Sequence, residues 1–181
     1  MRLPAVSFRR VIGARALGLA AALGSVGALG AAAAPASGSA VVAGPPACQT
    51  AGLVVWLSNG SGAAGSALYT MDLTNLSGHT CTLRGYPGVS AVTLSANQVG
   101  GAAVRAHGKK VKTVTLANGA AATATLRIVD AGNFSRSACR PVTAAGLRVF
   151  PPNQTASKLV PFPFGVCSRG PSNLRIAPVT K

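Results

Sequence analysis

The chain has 181 residues, of which 17 are Lys or Arg and only two are Asp or Glu, giving a formal net charge of +15. Two acids and two histidines leave little for paired-carboxylate hydrolysis of glycosides, a carboxylate cage for Mg²⁺ or Ca²⁺, or a multi-histidine zinc centre. With a leader set aside, roughly 140 residues remain, which is the size of one compact domain.

Residues 1–15 carry Arg2, Arg9, Arg10 and Arg15 without an acid, and residues 16–34 are nearly all Ala, Leu, Gly and Val. A basic start followed by an apolar run is the pattern of a secretory signal peptide. Ala34-Pro35-Ala36 and Gly38-Ser39-Ala40 both offer small side chains for cleavage. The expected organisation is therefore a signal peptide and short linker over 1–40 and a single β-sandwich domain over 41–181. A retained membrane helix is the alternative, since the apolar run is just long enough to span a bilayer. Arg9-Arg10 bears a faint likeness to a twin-arginine export signal, but the Sec route is the default. Pro45-Pro46-Ala47 before Cys48 does not make a lipobox, so the product is expected to be released rather than lipid-anchored. Beyond residue 40, 13 basic residues face two acids, a net charge of +11.

From Cys48 onward apolar residues recur at every second position in short runs separated by Gly, Pro and Asn, the period of half-buried strands. Runs 52–57 and 67–75 flank the Gly/Ser/Asn-rich segment 58–66, read as an exposed loop. Trp56 is expected to fill the core. Tyr69, Met71 and Leu73 are expected to face inward and Thr70, Asp72 and Thr74 outward, and in 90–95 Val92 and Leu94 are expected to point in. Runs 111–116 and 120–129 flank Asn118-Gly119, a strong hairpin signal because a type I′ turn needs positive φ at both central residues. In the second of these Ala122, Ala124, Leu126 and Ile128 are the expected core residues. Runs 146–150 and 158–164 flank Pro151-Pro152-Asn153-Gln154, with Pro161 and Pro163 marking an edge strand. The run 172–179 closes the domain with Leu174 and Ile176 inward. About eight or nine short strands point to an all-β fold, an immunoglobulin-like antiparallel β-sandwich.

Four cysteines in an exported chain imply disulfides. Cys48 and Cys81 bracket the first pair of runs, and Cys139 and Cys167 bracket the pair around Pro151-Pro152, so folding each hairpin brings two sulfurs together. The expected bridges are Cys48–Cys81 and Cys139–Cys167. The competing zinc half-site, Cys81 with His79, has no C-x-x-C or H-x-x-x-H to complete it.

In the string Cys81-Thr82-Leu83-Arg84-Gly85-Tyr86-Pro87-Gly88, Pro87-Gly88 suits the centre of a type II turn, and an aromatic before Pro raises the chance of a cis bond. Tyr86 is expected to bond its hydroxyl to backbone. Together with Cys48, Leu73-Thr74-Asn75, Leu116-Ala117-Asn118-Gly119, Cys139 and Cys167, this string resembles a family of exported actinobacterial domains known as domain of unknown function 4232, over about residues 48–179. The resemblance implies a secreted or lipid-anchored β-sandwich with no assigned activity, so it supplies no catalytic residues. The missing lipobox sets this chain apart from lipid-anchored members.

The densest basic cluster is Arg105-Ala106-His107-Gly108-Lys109-Lys110-Val111-Lys112. Arg105, Lys109, Lys110 and Lys112 are the candidate anion-binding residues, with Gly108 letting backbone approach a phosphate or carboxylate; a plain solvated loop is the competing interpretation. Arg127, Arg148 and Arg175 would extend a basic face if they share a sheet. Aromatics are only 4% of the chain, too few for base-stacking platforms, so specific nucleic-acid recognition is not expected. A triad from a Ser or Thr with His79 or His107 and Asp72 or Asp130 lacks a G-x-S-x-G elbow. The sequence therefore points to a non-catalytic secreted or envelope-associated module without cofactor or metal, presenting basic residues to an anionic envelope polymer or an acidic protein. The membrane is met only during export. The alternative is a protein-binding or enzyme-inhibitor domain that uses segment 58–66 or 151–157.

Overall fold

The computed structural model describes residues 44–108 and 110–181; the expected leader over 1–40, its cleavage region and Lys109 lie outside them. The strands are β1 (Leu53–Ala63), β2 (Ser66–Asn75), β3 (Cys81–Arg84), β4 (Gly88–Val92), β5 (Gln98–Val99), β6 (Val104–Arg105), β7 (Thr113–Leu116), β8 (Ala121–Val129), β9 (Pro141–Phe150), β10 (Lys158–Cys167) and β11 (Leu174–Ile176). They form a five-stranded sheet in the order β1-β2-β8-β11-β6, a four-stranded sheet in the order β10-β9-β4-β5, and the pair β3-β7. Pairing is antiparallel except between β11 and the two-residue β6.

Alternation chooses the buried face. Met71 and Leu73 on β2, Ala122, Ala124, Leu126 and Ile128 on β8, and Leu174 and Ile176 on β11 meet Val89, Ala91, Leu147, Val149 and Val160 of the four-stranded sheet in one core. Leu83, Val114 and Leu116 of the β3-β7 pair complete it. The expected all-β sandwich is therefore the observed fold. Both expected bridges are present, with Cα separations of 4.9 Å for Cys48–Cys81 and 4.6 Å for Cys139–Cys167. Cys81 therefore has no thiolate to offer a metal. All four cysteines are bridged, the state of an oxidising compartment. Among the described residues no helix is long and apolar enough to cross a membrane.

Five expectations change. First, 58–63 is strand rather than loop: β1 continues through a bulge between Ser58 and Ser61 to a two-residue turn at Ala64-Gly65, where Gly65 has φ +68°. Gly60 leaves room for the Tyr69 ring, because a Cβ there would lie 2.8 Å from it. Second, Trp56 is 50% exposed, because β1 is apolar on both faces and it is Leu53, Val55 and Leu57 that turn to the core. Third, Leu94 lies past the end of β4 and is 96% exposed. Fourth, Asn118-Gly119 makes an arch, not a hairpin: β7 pairs with β3 while β8 pairs with β2 and β11. Ala120 N–H closes the turn on the Ala117 carbonyl at 3.0 Å, and of the two central residues only Gly119 has positive φ, so it is not type I′.

Fifth, the Tyr86–Pro87 bond is trans and Gly88 begins β4; the bend falls at Gly85, with φ +112°. The Tyr86 hydroxyl donates to the Ala106 carbonyl at 3.1 Å, as expected of a structural corner, and the Arg105 guanidinium sits 5.5 Å from its ring centre. Tyr86→Phe is expected to cost about 1 kcal/mol in a urea titration, the net worth of one hydrogen bond whose acceptor can recruit water. The edge expectation holds. β10 ends its sheet, and its register breaks between Pro161 and Phe164.

Candidate functional site

The basic cluster divides between two places. Arg105 on β6 lies over Tyr86, and His107-Gly108 forms the turn that follows, with φ +77° at Gly108. Beyond that turn Lys110 and Lys112 lead into β7, a strand paired on one side only, and line a cleft of about 440 Å³. Its other walls are Thr113, Val114, Thr115, Thr180 and Lys181.

The cleft owes its shape to the C-terminal strap. Val179 N–H donates to the Gly85 carbonyl, and Thr123 and Thr180 exchange both backbone hydrogen bonds, all at 2.8 Å. This lays Thr180 and Lys181 beside β7. On the same exposed face of the β3-β7 pair, Arg84 stands opposite Thr113 and donates from Nη1 to its hydroxyl at 3.3 Å. Three lysines and three threonines thus line one open cleft, with no Asp or Glu among its described lining residues. Such a set can offer charge-assisted hydrogen bonds to phosphate or carboxylate oxygens. Lys110 and Lys112 were visible as a charge run; Lys181 and the threonines were not, because they join the site only through the strap.

The arginines do not form one face. Arg127 and Arg175 stand opposite each other on the outer face of the five-stranded sheet, where Arg127 Nε donates to the Ser66 hydroxyl at 3.0 Å. Arg148 belongs to the other sheet and is tied to the Ala96 carbonyl.

The groups weighed for catalysis are dispersed. Asp72 accepts from the Ser58 hydroxyl at 2.6 Å, and Asp130 accepts from the Gly132 N–H at 2.9 Å in a one-turn 3₁₀ segment. The His79 ring contacts the Ser77 carbonyl through Nδ1 at 3.1 Å. No group of three or more His, Cys, Asp or Glu that could hold a metal occurs among the described residues. Of the two segments expected to offer an exposed loop, 58–66 keeps Gly60, Ser61, Gly62, Ala64 and Gly65 exposed. Segment 58–63 is strand, and in 151–157 Asn153 donates to the Arg84 carbonyl, Gln154 accepts from the Thr50 N–H, and Ala156 accepts from the Thr50 hydroxyl.

The residues that carry the family resemblance are architectural. Asn75 closes β2 with a buried side chain that donates to the His79 and Leu116 carbonyls at 2.8 and 3.0 Å and accepts from the Ser77 N–H and hydroxyl. Gly119 N–H donates to the Asn75 carbonyl at 2.7 Å, so the Asn118-Gly119 arch is fastened to the same residue. No curated protein matches the chain. Residues 48–180, from the first bridged cysteine to the threonine that closes the strap, match the family described as Domain of unknown function (DUF4232), and the chain belongs to that family.

Proposed function

We propose that this protein is a non-catalytic, exported binding module that holds an anionic polymer of the cell envelope in the Lys110-Lys112-Lys181 cleft. The observation that carries this reading is that three lysines and three threonines line one open cleft with no Asp or Glu among its described lining residues. The surplus of 13 basic residues over two acids beyond residue 40 supplies long-range attraction toward such a partner. The leader pattern and the two bridges support export.

Retention on an anionic matrix, or on isolated cell wall, is expected to fall steeply between low and high salt, because exposed charges are screened within about 10 Å at 0.1 M. Lys110→Glu/Lys112→Glu should weaken retention about tenfold or more at low salt, since it replaces two attractions by two repulsions. Lys158→Glu, on β10 of the other sheet, should change it far less. Salt-insensitive retention, or equal loss from both variants, would remove the cleft as the site. Stoichiometric capture of one acidic protein would instead favour the partner-protein form of the same chemistry.

A further inference from the structure

The cleft does not end at Thr180. The Thr180 hydroxyl lies 3.3 Å from that of Thr123 on β8; Thr123 is in register with Asp72 on β2, and Asp72 with Trp56 on β1. Directly opposed residues of an antiparallel sheet share a face, so Thr180, Thr123, Asp72 and Trp56 form one row across the outside of the five-stranded sheet. Three inter-strand steps of ~4.8 Å put about 14 Å between its ends.

The chemistry changes along this row. Its inner end opens on the three lysines. Its outer end has an indole half exposed beside a carboxylate that already accepts from Ser58 through Oδ2, while Oδ1 accepts from no donor among the described residues. A carboxylate there repels a uniformly charged polymer such as polyphosphate. It attracts hydroxyl groups, and the indole offers a flat apolar face to the C–H side of a sugar ring. Threonine hydroxyls between the two ends can donate or accept.

We infer that the bound polymer is an anionic glycan, lying along the row with a charged substituent in the lysine cleft and an uncharged sugar ring stacked on Trp56. This proposal rests on the cleft as an anion site and adds the class of ligand. It assigns Trp56 and Asp72, which the sequence placed in the core and on an ordinary strand exterior, to specificity.

Trp56 is the single tryptophan of the chain, so its fluorescence reports on the row directly. With the full exported domain, a hyaluronan oligosaccharide is expected to shift Trp emission and to bind with a salt-dependent Kd, whereas inorganic polyphosphate of similar length binds without moving the emission. Trp56→Ala is expected to weaken hyaluronan binding about tenfold, with polyphosphate affinity unchanged and Trp56→Phe falling between. Lys110→Glu/Lys112→Glu should weaken both polymers.

If Trp56→Ala leaves hyaluronan affinity intact while the lysine variant weakens it, the glycan row is overturned and the cleft stands. If the lysine variant binds both polymers as well as the parent, the cleft itself is overturned. A concentration-dependent emission shift without glycan, accompanied by a dimer in sedimentation, would show that a second copy covers Trp56 and would overturn the row.

Discussion

A Cys48→Ala/Cys81→Ala/Cys139→Ala/Cys167→Ala variant is expected to unfold at a much lower urea concentration than the parent, having lost about half or more of its stability. The bridges close loops with sequence separations of 33 and 28 residues. On the loop-entropy account each contributes about 3.5 to 4 kcal/mol, an upper guide when the unfolded chain keeps residual structure. Losing both would take about 7 kcal/mol from a domain whose whole stability is about 5–15 kcal/mol. The single-bridge variants should differ in what they loosen. Cys48 and Cys81 sit in the main core, and their bridge holds the segment before β1 against β3, where Cys48 N–H donates to the Thr82 carbonyl. Cys139 and Cys167 form a separate small cluster with Ala131 and Phe134, at the open end of the β9-β10 hairpin. Losing the first bridge should lower the urea midpoint and release the β3-β7 pair; losing the second should fray residues 131–140 first. Circular dichroism through a urea series, with hydrogen exchange on the single-bridge variants, checks both. A cooperative transition of unchanged midpoint in the four-alanine protein would show that the bridges contribute little.

Asn75→Ala is expected to destabilise by about 2–3 kcal/mol, from lost hydrogen bonds to partly or fully buried backbone groups. The side chain fastens the 77–79 turn to the end of β7, while the Asn75 backbone carbonyl, which the substitution keeps, holds the Asn118-Gly119 arch. Asn75→Asp keeps the acceptor oxygen toward Ser77 but gives up the amide donors, and it buries a charge, so it should be at least as harmful. Thermal unfolding of both variants tests this; a loss below about 0.5 kcal/mol, the range of ordinary surface changes, would contradict it.

Much of the fold was legible because alternation is a local property. β8 reads as Ala122, Ala124, Leu126 and Ile128 on one face with Thr123, Thr125 and Arg127 on the other, and it buries the first set. The bridges were legible because each pair of cysteines brackets a hairpin. Trp56 was not, since in Leu53-Val54-Val55-Trp56-Leu57 both faces are apolar and period two cannot choose between them. The Asn118-Gly119 turn was not legible for a related reason: the same dipeptide can reverse the chain within a sheet or carry it to another. Here the anchor on Asn75 decides, and it is more than forty residues away in sequence. The candidate site was half legible, as a run containing Lys110 and Lys112, while Thr180 and Lys181 reach it only after the strap has docked.

The sheet margins have a consequence for crowding. β5 and β6 are two residues long, and β10 carries two prolines and a register break, so three of the outer strands of the two large sheets make poor templates for another ribbon. The stretch Leu53–Ser58 of β1 is continuous and free of proline, with Val54 and Trp56 exposed. At high local concentration, chain-to-chain growth of a sheet would start there, and a ligand resting on Trp56 would also act as its guard.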